Sequence, residues 1–371
     1  MTHQPQALIV GLGGIGGWVL EFLARSAGIS YIVGADLNEE WGRRQVYNTR
    51  SGAMLQGYYP RVEFTQIDMQ DVDATAETIA RLQPRLILNC ATLQTWWLRK
   101  TLPPEIADRL SEAGSGPWLS THLALSRKLM LAVRASRWQG HVINSGIPDI
   151  SNAVLAKRGL APTIGLGNID LLISPLRMGV AKQLGVPVRN VSVYAILHHY
   201  HTTHFRKHDH GAPPYFLRLM VGDRNVTGEF DTDLLLHQVS QDRFSGLPGN
   251  AVVAASGVKN ALALLGDTGL LTHAPGPQGL PGGYPVRLSA SGAEVVLPRG
   301  VTMEQALAYA QAGQRADGVE RIEDDGTVIY TDKAFQIIKE VLDHELSPLA
   351  FDDCDAQAAE LIARFRALLE K

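Results

Sequence analysis

Residues 7–28, ALIVGLGGIGGWVLEFLARSAG, decide how the first half of the chain folds. Four apolar residues, Ala7 to Val10, run into a glycine turn and then into a helix with an apolar face. The turn reads G-x-G-x-x-G at Gly11, Gly13 and Gly16, with Gly14 and Ile15 inside it. In a strand–turn–helix unit the three glycines permit a tight turn, close approach of a pyrophosphate, and close helix-to-strand packing. The helix start then offers free N–H groups and a positive dipole end to phosphate.

The sequence on either side strengthens this reading. YIVGAD is a second strand ending in Asp36, 25 residues beyond Gly11, where a carboxylate can accept from a ribose hydroxyl. That acid favours NAD over NADP, because it repels a 2′-phosphate, although Arg43 and Arg44 follow closely. VEFTQIDM and RLILNCAT supply a third and a fourth strand around the helical DATAETIARLQ. Asn89 and Ala91 flank the end of that fourth strand, on the expected nicotinamide side, and Cys90 between them reads as a small buried hydrophobe. Alternating strands and helices predict an α/β fold with a doubly wound parallel sheet of Rossmann type.

The bulk properties set the remaining bounds. A chain of 371 residues is long enough for two packed lobes and a tail. It is 45% hydrophobic and 19% charged with a net charge of −3, which gives no electrostatic reason to expect nucleic acid or an acidic membrane as partner. Two cysteines without C-x-x-C spacing point to a reducing compartment. The first residues show no signal pattern, and no apolar run approaches the ~18 residues of a membrane span. A cytoplasmic protein acting on a small molecule is expected.

The second half carries an amphipathic helix, WLSTHLALSRKLMLAVRASRW, in which His122 reads as a packing residue. The strand-like GHVINSGIPDI, the segment TIGLGNIDLLISPLRMGVAKQLGV and the strand NVSVYAIL follow. GGYPVRLSASGAEVVLP reads as a hairpin and TMEQALAYAQAGQRA as a helix. Over roughly residues 5–322 this order resembles the lactate/malate dehydrogenase superfamily. The resemblance implies an α+β substrate domain after the nucleotide domain, with boundaries at 1–148, 149–322 and 323–371. It implies Asn144 as a substrate contact, His199 as the catalytic acid/base, and Asp170 as the carboxylate that orients it. The long helix after SQDRFSGLPG makes Asn250 and Ser256 candidates for substrate contact, and the relatives imply a homodimer or homotetramer. The residue types suit the chemistry: an imidazole can exchange the hydroxyl proton of a carbinol while a carboxylate fixes its tautomer.

Two departures from that pattern bear on the substrate. Ile173 stands where the family places a carboxylate-binding arginine, and ATLQTWWLRK, after the fourth strand, delivers Arg99 late. Arg99 or Arg177 could substitute. Trp96 and Trp97 suggest a larger, partly apolar substrate, so a simple 2-hydroxy acid is not expected.

Six of the twelve histidines fall between His198 and His210. Read as an extended segment, His199 and His201 share one side, and with His204 they leave a divalent metal open. The chain is also similar to NAD- and metal-dependent glycoside hydrolases at GLGN, residues 165–168, although Gly167 replaces their cysteine ligand. Three functions therefore stand: an NAD(P)-dependent dehydrogenase or reductase, an NAD- and metal-dependent glycosidase or lyase, and a non-catalytic NAD sensor. Beyond residue 322, a hairpin with Asp-Gly at its turn and two amphipathic helices form an extension that either caps the substrate lobe or packs across a dimer.

Overall fold

The computed structural model describes residues 4–242 and 246–370. Six strands, β1 (Ala7–Val10), β2 (Tyr31–Asp36), β3 (Arg61–Gln66), β4 (Leu86–Asn89), β5 (His141–Asn144) and β6 (Ile164–Gly165), form one parallel sheet in the order β3-β2-β1-β4-β5-β6. Strands buried on both faces must be apolar throughout, which is why ALIV and LILN carry no polar residue before Asn89. Ala7 and Ile9 point into one core, with helix Gly14–Ala24 and helix Asn250–Gly266. Leu8 and Val10 point into the other, with helix Val72–Leu82 and helix Leu119–Ser136. The sheet is wound both ways from β1 and β4, so the crevice at their carboxyl ends lies at the switch point where such folds bind ligands. β6 lies beyond residue 148, so the parallel sheet extends past the expected first boundary.

The second half folds as antiparallel pieces. β7 (Val191–Ile196), β8 (Phe216–Val221) and β9 (Arg224–Asn225) make one sheet, and β10 (Leu270–Pro275), β11 (Gly283–Ser289) and β12 (Gly292–Val295) another. A bridge between Leu197 and Gly283 joins them at the end of β7. The β11–β12 hairpin and helix Met303–Ala316 fall where the sequence places them.

The histidine segment differs from its expected form. It is the helix His199–Lys207, because His198 and His201 form a reciprocal cap at its N-terminus: His198 Nδ1 accepts from the Tyr200 N–H, and His201 Nδ1 accepts from the His198 N–H. His199 and His201 therefore do not share one side of a strand.

The extension comprises β13 (Val319–Ile322), β14 (Val328–Tyr330) and helices Asp332–Leu342 and Cys354–Leu369. It returns to the first lobe. Helix Asp332–Leu342 packs on helix Pro104–Glu112, and helix Cys354–Leu369 packs on helix Leu119–Ser136. It covers the segment that follows β4 rather than the antiparallel lobe.

Candidate active site

At the glycine turn each residue type is forced by space. Gly11 has φ +88°, and a side chain there would sit 2.7 Å from the backbone of Ala91, which closes the turn from the end of β4. A side chain at Gly16 would fall 1.8 Å from the Gly11 carbonyl oxygen. Gly13 is the exception: among the described residues, a methyl there would meet no atom beyond its chain neighbours and own helix within 4 Å. Helix Gly14–Ala24 starts without a side-chain cap, so its first N–H groups face that open space uncapped. Asp36 stands beside the turn, its carboxylate accepting from the N–H of Leu12 at 2.7 Å and of Asn38 at 2.9 Å. Arg43 and Arg44 pair with Glu39 and Glu40 one turn earlier. Asn250 also belongs here, for its amide lies 2.5 Å from where a Gly14 side chain would begin. Its place is the glycine turn.

His199 opens its helix with the side chain 24% exposed. Its Nδ1 lies 3.0 Å from Asp317 Oδ2 and 3.3 Å from Ser115 Oγ. Its backbone N–H donates to Asp149 Oδ1 at 2.9 Å, and the second oxygen of that buried carboxylate accepts from Asn168 Nδ2. Asp317 is 2% exposed, and its Oδ1 accepts from the Ser115 N–H at 2.9 Å. Burial works against a charged His199, but Asp317 outweighs it by charge and hydrogen bond, and the pKa is raised. Burial likewise opposes an ionised Asp317, yet His199, His198 and the Ser115 N–H hold its pKa below the ordinary value. The pair is a carboxylate–imidazole dyad, with no bond to Nε2 among the described residues.

The oriented pairing expected from the sequence is therefore corrected. Asp170 does not hold His199; its Oδ2 accepts from Ser256 Oγ and from Lys259 Nζ, each at 2.7 Å. Together with Arg177, Ser174 and His273 it lines a separate groove of about 480 Å³. Arg177 is committed there to the carbonyls of Val191 and Val188. The dyad's acid is Asp317, which follows helix Met303–Ala316 and which no local motif marks.

Asn144 is also corrected as a free substrate contact. It is 1% exposed; its Oδ1 accepts from Asn89 and Ser126, and its Nδ2 donates to Ser151 and Asn152. Asn89 spends its amide in the same network, donating also to Ser126. Both residues fasten β4, β5 and the helices behind them, and this leaves the backbone at Cys90 and Ala91 as the edge of the cleft.

Two further groups stand at the dyad. Arg99, on the turn Trp96–Thr101, is drawn down to about 10 by burial, which Asp317 partly offsets; it stays cationic at neutral pH. His122 is pushed down to about 4 by burial, with the charges of Arg99 and His199 adding to it, so it is neutral. Ile173 is buried among apolar residues. The side chain of Trp96 lies outside the described residues.

Among the other histidines, His201 Nε2 lies 3.0 Å from the Pro213 carbonyl and His204 Nε2 lies 3.1 Å from that of His210. Burial holds both rings below the ordinary pKa. Among the described residues there is no group of three or more His, Cys, Asp or Glu placed to hold a metal ion. His199, His201 and His204 thus serve a dyad and two helix-to-loop ties. No described helix is long and apolar enough to cross a membrane.

No protein-family model and no curated protein matches this sequence. Solved structures do. Lactate dehydrogenase of Cryptosporidium parvum, complexed with lactic acid and nicotinamide adenine dinucleotide, superposes with TM-score 0.59 at 16% identity, over 85% of this chain and 97% of that one. Malate dehydrogenase of the same organism gives 0.60 at 13% identity, over 85% and 98%. Malate dehydrogenase of Plasmodium falciparum, in complex with NADH, gives 0.59 at 13%, over 90% and 100%. The chain has the fold of the lactate and malate dehydrogenases, in a divergent sequence.

Proposed function

We propose that this protein is an NAD(P)-dependent oxidoreductase, NAD being the cofactor favoured, which moves a hydride between nicotinamide and a carbinol, ketone or imine substrate. The observation that carries the reading is the His199–Asp317 dyad, set in a fold whose glycine turn keeps an open, uncapped helix start. The turn fits a dinucleotide: Gly13 leaves the space a pyrophosphate needs, and Asp36 sits where a ribose hydroxyl would donate. Arg43 and Arg44 only pair with Glu39 and Glu40 at the exposed surface, so the preference for NAD rests on the Asp36 carboxylate, which repels a 2′-phosphate. Two of the similar solved structures are complexes with NAD or NADH.

When bound, the nicotinamide accepts or returns the hydride. In the oxidation direction His199 Nε2 takes the hydroxyl proton as the hydride leaves the carbon, and the ring becomes imidazolium. Asp317 holds the Nδ1 proton, so the basic lone pair stays on Nε2, and its negative charge stabilises the cation. Ser115 keeps Asp317 in place through its N–H. In reduction the same proton returns to the developing alkoxide. Ile173 and the commitment of Arg177 elsewhere leave Arg99, among the described residues, as the one candidate cation at the dyad, without the paired arginines expected for a carboxylate, which argues against a plain 2-hydroxy acid.

The test is NADH absorbance over a panel of hydroxy acids, polyols and amino alcohols, with the chain purified without a histidine tag. Net NADH formation that is abolished in His199→Gln supports the reading. A requirement for NAD and stoichiometric metal without net NADH would sink it, in favour of transient oxidation by a lyase or hydrolase.

A further inference from the structure

The corner formed by residues 113–118 supplies several of the contacts at the dyad. The Gly114 carbonyl accepts from Arg99 at 3.5 Å, the Ser115 N–H holds Asp317, and the Gly116 N–H donates to the Asp317 carbonyl at 2.8 Å. Gly114, at φ +77°, must be glycine, since a side chain there would lie 2.3 Å from the Asp317 backbone. The same corner is one wall of a separate apolar core. Leu110, Ala113 and Trp118 pack there with Ile337, Ile338 and Phe365 of the C-terminal helices.

Trp118 links the two. Its ring is 4% exposed, and its Nε1 has no hydrogen-bond partner among the described residues, so packing alone sets its orientation. Phe365 meets it edge-on, with centroids 5.5 Å apart and planes at 90°. The Arg99 guanidinium carbon lies 5.2 Å from the Trp118 ring centroid, in range of a cation–π contact. Beyond that contact and the charge of Asp317, Arg99 has one long hydrogen bond among the described residues, so the ring is a principal packing partner of its guanidinium.

We infer that Trp118, seated by Phe365, positions the Arg99 guanidinium at the His199 centre, which makes the C-terminal extension part of the reaction site. The inference rests on the reading of His199 as the reacting base. His199 is faced by Asp317, Asp149 and Arg99, with His198 and His122 also within electrostatic reach; of these Arg99 is the permanent cation. Releasing it removes a charge that opposes imidazolium.

The experiment uses the full chain carrying Phe365→Leu, Trp118→Leu or Trp118→Phe. Arg99 is probed with phenylglyoxal and read by peptide mass spectrometry, with exposed Arg43 as internal control. His199 is titrated by NMR of histidine-labelled protein. Phe365→Leu and Trp118→Leu should label Arg99 several-fold faster and raise the His199 midpoint. Trp118→Phe, which keeps a ring face, should stay near wild type. Should Trp118→Leu fail to fold, Phe365→Leu decides, because it keeps apolar volume. Unchanged Arg99 labelling and an unchanged His199 midpoint in the folded variants would overturn the inference, as would a Trp118→Phe variant indistinguishable from Trp118→Leu. Neither readout needs turnover. A chain that never makes NADH therefore sinks the proposed function while leaving this result to stand or fall alone.

Discussion

Replacing Asp317 by asparagine changes one oxygen to an amide nitrogen and little else. In the native arrangement Oδ1 accepts from the Ser115 N–H at 2.9 Å and Oδ2 faces His199 Nδ1 at 3.0 Å. The asparagine must keep its oxygen toward the Ser115 N–H, which can only donate, so its NH₂ turns to His199. Nδ1 is then forced to accept, the ring proton moves to Nε2, and the ring presents a donor where the carbinol needs a base. The negative charge that would stabilise imidazolium is lost in the same step. A wrong tautomer of this kind costs about 100- to 10,000-fold in kcat, or roughly 3–5 kcal/mol of barrier.

The control is Asp170→Asn. Its partners are Ser256 and Lys259, and the Lys259 side chain is 37% exposed although Asp170 is 9% exposed, so the lost ion pair is partly screened and worth on the order of 1 kcal/mol of stability. Activity should change by less than about threefold, because no bond from Asp170 reaches His199. The assay is NADH absorbance for both variants at saturating NAD, on whichever substrate the wild-type chain oxidises. A large loss in Asp170→Asn with near-normal turnover in Asp317→Asn would refute the assignment of the dyad.

Three further outcomes are expected. The rate of oxidation should rise with pH through a midpoint above 6.5, because the proposed function makes neutral His199 the base and its pKa is raised; reduction should fall through the same midpoint. In Asp317→Asn burial is less opposed, so the midpoint should move down, and a midpoint that stays put would show that Asp317 is not the cause. Gly13→Ala should fold with unchanged thermal stability yet bind NAD at least several-fold more weakly, whereas Gly16→Ala should lose stability through the contact with the Gly11 carbonyl; calorimetric binding and thermal unfolding separate the two. Dialysis against a chelator should leave both turnover and unfolding temperature unchanged, since His201 and His204 already spend ring nitrogens on Pro213 and His210; loss of either property would reopen the metal reading.

The parts legible in the sequence are those whose cause is local. A buried parallel strand must be apolar, a turn at φ +88° under a neighbouring backbone must be glycine, and both constraints are written within residues 7–16. The β11–β12 and β13–β14 hairpins and the two last helices were legible for the same reason. His199 came from the resemblance, whose strand-and-turn segment maps onto it, and the structure places an acid beside it. That acid was not legible, for Asp317 lies 118 positions away and nothing in its own neighbourhood distinguishes it from a surface aspartate. Asp170 matched by order and spacing, but a carboxylate goes to the partners that approach it. Here those are Ser256 and Lys259, from a helix whose register no local pattern reveals.

The clustered histidines misled in the opposite way. Their density suggests convergent ligands, yet the helix that His198 and His201 cap turns successive rings toward different partners, and most become ties between helix and loop. The position of Asp317 then has a consequence for how the molecule is divided. It sits where the chain leaves helix Met303–Ala316 for β13, and its carboxylate is held by Ser115 of the first lobe against His199 of the second. Two units of the sequence reading, 1–148 with Ser115 and 149–322 with both His199 and Asp317, thus share one pair of oxygens. A substitution that shifts either of them by about 1 Å should register first in the tautomer of His199 rather than in the fold.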